Sequence, residues 1–208
     1  MYFSSSKELG RVPLTLVCGE DVSVRRLFVK RLLAQVAPHS FTLLAQRPEV
    51  EGAFQEHAVR WFDGAMGAVD EDCLCCGLRS GLGDALRSVF FSALSMRSER
   101  LERVLIDASG IRREQLEQTL KHTPFLGQRF VHQSTIWVVD PTEFDIGCLE
   151  VRPVGCVVVH RPDGLNNEVF ESAFENIERA VTAVSPELVV VRLFSETLVA
   201  DMRLIVGK

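Results

Sequence analysis

Apolar positions along this chain follow two rhythms. Short, nearly unbroken apolar runs end in glycine, aspartate or histidine, and between them lie stretches with apolar residues three or four apart. VPLTLVCG, Val12 to Gly19, reads as a buried parallel strand. From Val22 to Val36, Val24, Leu27, Phe28, Leu32 and Val36 keep helical spacing with basic residues between them, and Pro38 lies just beyond. FTLLAQ, Phe41 to Gln46, is a second strand. Glu49 to Asp63 is a helix candidate, Gly64 to Asp72 a loop, and Leu78 to about Leu94 a helix. RVLIDASG, Arg103 to Gly110, is a strand ending in a glycine turn, and Arg112 to Lys121 a polar helix. Three more strand runs follow: TIWVVD (Thr135 to Asp140), GCVVVH (Gly155 to His160) and LVVVRL (Leu188 to Leu193). Before the last, Val169, Phe170, Ala173, Phe174, Ile177, Ala180, Val181 and Val184 form one helical stripe with glutamates opposite, closed by Pro186.

Buried strands alternating with helices predict an α/β fold, a three-layer sandwich with a mainly parallel sheet and helices on both faces. A single domain is expected over residues 11–208, after a tail of residues 1–10. In such sheets a ligand lies beyond the carboxyl ends of the strands. The loops after Val17, Ile106, Val139 and Val159 qualify by position.

Composition narrows the function classes. With 47% hydrophobic and 25% charged residues the 208-residue chain is ordinary globular material. A net charge of −5 gives no electrostatic reason to expect nucleic acid as a partner. MYFSSSKELGR has no apolar core of a signal peptide, and no apolar run approaches the roughly 18 to 20 residues of a membrane span. The expected place is the reducing cytoplasm, where six cysteines read as thiols or metal ligands rather than a disulfide framework.

EDCLCCGLRSGL, Glu71 to Leu82, holds three of those cysteines within four residues: Cys73, Cys75 and Cys76. Closely spaced thiolates at the mouth of a helix suit a soft divalent cation, zinc above all, and the helix start favours the thiolate form. Water, a carboxylate or a residue of a second chain would complete the site; Asp72, Glu71 and His57 are the nearby candidates. Two other readings stand beside this one: small core residues inherited from an active ancestor, or a redox role. A disulfide between adjacent Cys75 and Cys76 is disfavoured by geometry.

The strand ends, read in order with CLCC, resemble the CobW-type metallochaperone GTPases, relatives of the hydrogenase and urease maturation GTPases (HypB- and UreG-like). VPLTLVCG resembles the family's P-loop strand, EDCLCCGLRSGLGDAL its cysteine motif and following helix, VLIDASGI its acidic turn, IWVVDPTEF the next strand, VVVHRPDGL its guanine-motif strand and VSPELVVV the last. The resemblance implies the P-loop NTPase fold without the family's C-terminal domain. It also implies cofactor-contacting positions at Gly19, Arg25, Asp107, Gly110 and Asp163.

Those motifs are degenerate. Against G-x-x-x-x-G-K-[ST] the chain has GEDVSVRR, Gly19 to Arg26: Val24 replaces the second glycine, Arg25 the lysine and Arg26 the magnesium-binding hydroxyl. β-Branched Val22 and Val24 oppose the glycine-tolerated path that aims N–H groups at phosphate, and Glu20 and Asp21 put negative charge where phosphates would sit. The guanine motif is His160-Arg161-Pro162-Asp163, and only its aspartate remains; Asp107 to Gly110 reads D-x-x-G rather than E-x-x-G. Binding of Mg·GTP and its hydrolysis are therefore not expected, and no catalytic residue is assigned.

Several residues have both a functional and a plain reading. Arg25 and Arg26, beside Lys30 and Arg31, suit an anion at a helix start or the solvated face of an amphipathic helix. Cys18 reads as strand packing, His160 as a locally hydrogen-bonded histidine, and Trp61 and Trp137 as apolar mass. Ser109 lacks the partners of a triad, and Cys148 and Cys156 carry no role. The reading is a degenerate CobW-like protein that binds zinc or another soft divalent metal through Cys73, Cys75 and Cys76. Its expected partners are a client metalloprotein or a related GTPase, and a homodimer would let two chains share ligands. The alternatives are a nucleotide-free pseudo-GTPase acting as a protein scaffold, and a GTPase with its phosphate loop rebuilt around Arg25 and Arg26.

Overall fold

The computed structural model describes residues 10–35, 41–46, 59–62, 81–95, 101–107, 113–142, 144, 155–193 and 198–199. In chain order the elements are β1 (Val12–Cys18), α1 (Val22–Gln35), β2 (Thr42–Gln46), β3 (Val59–Phe62), α2 (Gly81–Ser95), β4 (Val104–Asp107), α3 (Arg113–His122), α4 (Pro124–Arg129), β5 (Phe130–Val139), β6 (Cys156–His160), α5 (Asn167–Val184), β7 (Val189–Leu193) and β8 (Leu198–Val199). The strand order is β3-β2-β4-β1-β5-β6-β7-β8. β2 pairs in parallel with β3 and β4, and β6 with β5 and β7; β8 closes the edge antiparallel to β7.

β4 and β6 are buried at every residue. Alternate side chains of a strand point to opposite faces, so unbroken burial means that both faces are covered. This is the α/β architecture that the alternating runs predict, a mainly parallel sheet with helices on both faces.

The chain falls into two compact units, Met1–Leu16 with Pro38–Gln133, and Val17–Ala37 with Ser134–Lys208. In the first, Leu14 and Leu16 of β1, Leu44, Val104 and Ile106 pack against Leu82, Leu86 and Val89 of α2, Leu116 and Leu120 of α3, and Leu126 of α4. In the second, Trp137, Val139, Val157 and Val159 pack against Phe170, Phe174, Ile177 and Val181 of α5. That stripe is narrower than the pattern suggests, because Val169 and Val184 at the ends of α5 are exposed.

Two elements differ from the sequence expectation in kind. Val59–Phe62 is strand, where a helix was expected across Glu49 to Asp63; residues 49–58 and 63 lie outside the described residues. Valine and aromatic residues pair there with β2 in register Leu43↔Val59 and Ala45↔Trp61, and this tertiary pairing outweighs a weak helical rhythm. β5 begins at Phe130 rather than Thr135, and α4, with Pro124 at its start, precedes it without a break. The half-buried His132 to Ser134 carry no strand-like apolar pattern, and α4 is too short to show a periodicity.

Candidate functional site

The candidate site grows from the strand ends of the second unit. β1 ends at Cys18, whose thiol donates to Ile136 O at 3.5 Å within the core; Cys18 is packing, as expected. A Cβ on Gly19 would stand 2.4 Å from Val138 O. Only hydrogen fits between the chain end of β1 and β5, so this glycine is required by close approach whatever the loop binds.

Asp21 begins α1. Its Oδ1 accepts the backbone N–H groups of Ser23 (2.7 Å) and Val24 (3.1 Å), and its carbonyl accepts that of Arg25 at 3.0 Å. This is an N-cap. The unpaired amides at such a helix start are the groups that a phosphate loop aims at its anion, and here a carboxylate of the chain itself accepts two of them.

Arg25 is 2% exposed. Its Nη1 donates to Gly19 O at 2.7 Å. The guanidinium at the lysine position is thus folded back onto its own loop and is no part of a solvated face. Beside it, Arg26 is half-buried, with an Nε that is buried and without a hydrogen-bond partner among the described residues. Lys30 is exposed. The basic run therefore divides between the interior and solvent.

At the end of β5, Asp140 Oδ1 accepts from Thr142 N (2.8 Å) and Thr142 Oγ1 (2.6 Å), closing a local turn. At the end of β6, His160 is 8% exposed, and its Nδ1 has no hydrogen-bond partner among the described residues. Burial pushes its pKa down, against the opposing charges of Asp140, Asp163 and Asp21. The imidazole is accordingly neutral near pH 7.

Arg161, at the lysine position of the guanine motif, donates to Leu165 O (3.0 and 3.3 Å) and Asn167 Oδ1 (3.1 Å). The turn it clasps runs from Pro162 to Leu165, with Leu165 N–H on Pro162 O and Gly164 at φ 85°, a left-handed position suited to glycine. Asp163 stands exposed on that turn. Asn166 then caps α5 by accepting from Glu168 N at 2.8 Å.

In the first unit, Asp107 ends β4 with 2% exposure and a partner of its own. Gly110, Ser109, Cys73, Cys75, Cys76, His57, Glu71, Asp72 and Cys148 lie outside the described residues. Among the described residues no three His, Cys, Asp or Glu side chains come together to hold a metal ion. Cys156 is buried, and burial pushes its thiol up to about 12, which leaves it protonated and inert. The capping role of Asp21 was readable as an aspartate directly before a helical rhythm; its charge was noted, but not which amides it would take.

Comparison with known proteins adds the fold. No family model matches the chain, and no curated protein matches it. Solved structures do. A Zn(II)-bound triple mutant of the E. coli YjiA GTPase shares 15% identity over 88% of this chain and 57% of that one, with a TM-score of 0.56. HypB from Helicobacter pylori in complex with nickel shares 11% over 92% and 82%, with a TM-score of 0.53. The hydrogenase maturation factor HypB from Archaeoglobus fulgidus shares 10% over 92% and 85%, with a TM-score of 0.51. The fold is that of the P-loop GTPases. In this chain Gly19 to Arg26 follows β1 and opens α1, and His160 to Asp163 follows from the end of β6. The chain spans little more than half of the YjiA chain, and what is shared at these identities is the fold.

Proposed function

We propose that this chain is a CobW-like metal-handling protein, one that binds zinc or another soft divalent cation through Cys73, Cys75 and Cys76 and does not turn over GTP. The observation that carries the second half is the Asp21–Arg25 loop. A carboxylate of the chain takes the helix-start amides, and the guanidinium at the lysine position is held on Gly19 O. Mg·GTP would have to displace both, without a hydroxyl at Arg26 for the metal.

The first half rests on ligand chemistry. With the nucleotide positions filled or replaced, the C-x-C-C run is the remaining group of residues whose chemistry exceeds that of a fold, and thiolates at this spacing suit zinc. We place the protein in a reducing, cytoplasmic setting, as a single domain over residues 11–208, with a client metalloprotein, a related GTPase or a second copy as partner. No helix among the described residues is long and apolar enough to cross a membrane.

The scaffold reading has an observation of its own. Phe91 and Leu94 on α2 are 54% and 63% exposed, and Phe91 stacks on Phe125 of α4 at 5.5 Å. Exposed apolar side chains grouped on one helix suit contact with a protein partner. A rebuilt phosphate loop at Arg25 is disfavoured by that residue's burial.

One preparation separates the readings. Protein purified reduced, loaded with zinc and desalted is assayed for bound metal and for phosphate release from Mg·GTP. Retained stoichiometric zinc without turnover is the expected result. Turnover would overturn the second half of the proposal, and zinc lost on desalting the first.

A further inference from the structure

A groove in the first unit lies between α3, α4 and the start of β5, beside Arg11, which precedes β1. It is an open groove of about 480 Å³, within the usual range of volume for small-molecule sites. Leu120, Phe130 and Val131 give it apolar walls, and Arg11 and Lys121 supply positive charge.

Among the described residues this charge is not cancelled locally. Glu117 is the acid among the lining residues. It already accepts from Arg113 Nε at 2.6 Å and lies 3.1 Å from His132 Nδ1. Burial alone would raise its pKa, but these hydrogen bonds and charges lower it, so it stays ionised and engaged. Among the described residues neither Arg11 nor Lys121 forms an ion pair. A groove with surplus cations on a chain of net charge −5 calls for an anion.

Arg11 has a tether at the groove. Its Nη1 donates weakly to Gly127 O at 3.4 Å, which holds the guanidinium at the wall and leaves N–H groups for a carboxylate, the planar partner that its fork matches. Gly127 permits this geometry, since a Cβ there would come 2.5 Å from Leu120 O and force α4 away from α3. Leu120, Phe130 and Val131 offer nothing to replace the water of a hydrated inorganic ion, and they suit an apolar body. We infer that this groove binds a small organic carboxylate with an apolar body, its charge on Arg11 and Lys121 and its body against Leu120, Phe130 and Val131. The inference is independent of the metal reading and of the phosphate loop.

The test is a titration of the full chain with sodium benzoate, followed by backbone amide NMR. Inorganic phosphate (charge alone) and benzyl alcohol (apolar body alone) serve as comparison probes. Benzoate should saturate, with shifts centred on Gly127, Val131 and His132, and bind at least about tenfold tighter than either comparison probe. Arg11→Gln and Lys121→Gln should each weaken it about five- to tenfold. Lys121 is exposed, so its variant keeps the test open if Arg11→Gln fails to fold. No saturation, shifts centred elsewhere, phosphate binding as well as benzoate, or a folded Lys121→Gln of unchanged affinity would each overturn the inference.

Discussion

The guanidinium of Arg25 donates to the carbonyl oxygen of Gly19 at 2.7 Å, from a position 2% exposed to solvent. The residue that stands where the sequence resemblance puts a phosphate-loop lysine is thus part of the protein interior. Truncating it removes a charged donor and opens a cavity, so Arg25→Ala should lower stability by about 2–4 kcal/mol. Arg25→Lys, which keeps a donor, should cost less. Urea unfolding of the two variants checks the order, and equal costs would mean that packing alone matters here.

Gly19 tolerates no side chain. With a Cβ placed 2.4 Å from Val138 O, Gly19→Ala must push β1 and β5 apart locally, at about 1–3 kcal/mol. A melt unchanged from wild type would show that the loop shifts freely.

Asp21 holds two amides of α1. Asp21→Ala should cost about 0.5–2 kcal/mol, and Asp21→Asn only a small part of that, since asparagine caps nearly as well. Equilibrium unfolding near pH 7 separates the cap from the bare charge.

His160 gives a pH dependence whose sign follows from its lowered pKa. The unfolded chain takes up a proton near its ordinary value of about 6.5, before the folded protein does. Its contribution is therefore complete above about pH 6.5 and is lost as pH falls from there towards the lower folded pKa, by at most about 1.4 kcal/mol per pH unit. Stability measured at pH 8, 7, 6 and 5 should show this decline in wild type and a shallower one in His160→Gln.

Much of the fold was legible because burial on both strand faces writes itself as unbroken apolar runs. β1, β2 and β6 begin and end within a residue or two of their patterns. What stayed hidden depends on partners distant in sequence. Val59–Phe62 becomes a strand by pairing with β2, and the polar start of β5 carries no apolar alternation of its own. At the site, the replaced motif residues could be read directly. Their new contacts could not, because a basic residue at helical spacing looks the same whether it meets solvent, as Lys30 does, or Gly19 O, as Arg25 does. Nor does a strand-end aspartate announce its partner: Asp140 is engaged in its own turn with Thr142.

The central claim is that the thiols of Cys73, Cys75 and Cys76 hold a soft metal on a fold that no longer works as a GTPase. The direct measurement is a competitive zinc titration of the reduced protein beside a variant with all three cysteines changed to serine. The account predicts stoichiometric binding tighter than roughly nanomolar, about 12 kcal/mol, abolished in the variant. Weak binding, or binding that survives the substitutions, would contradict it and leave the cluster as ancestry.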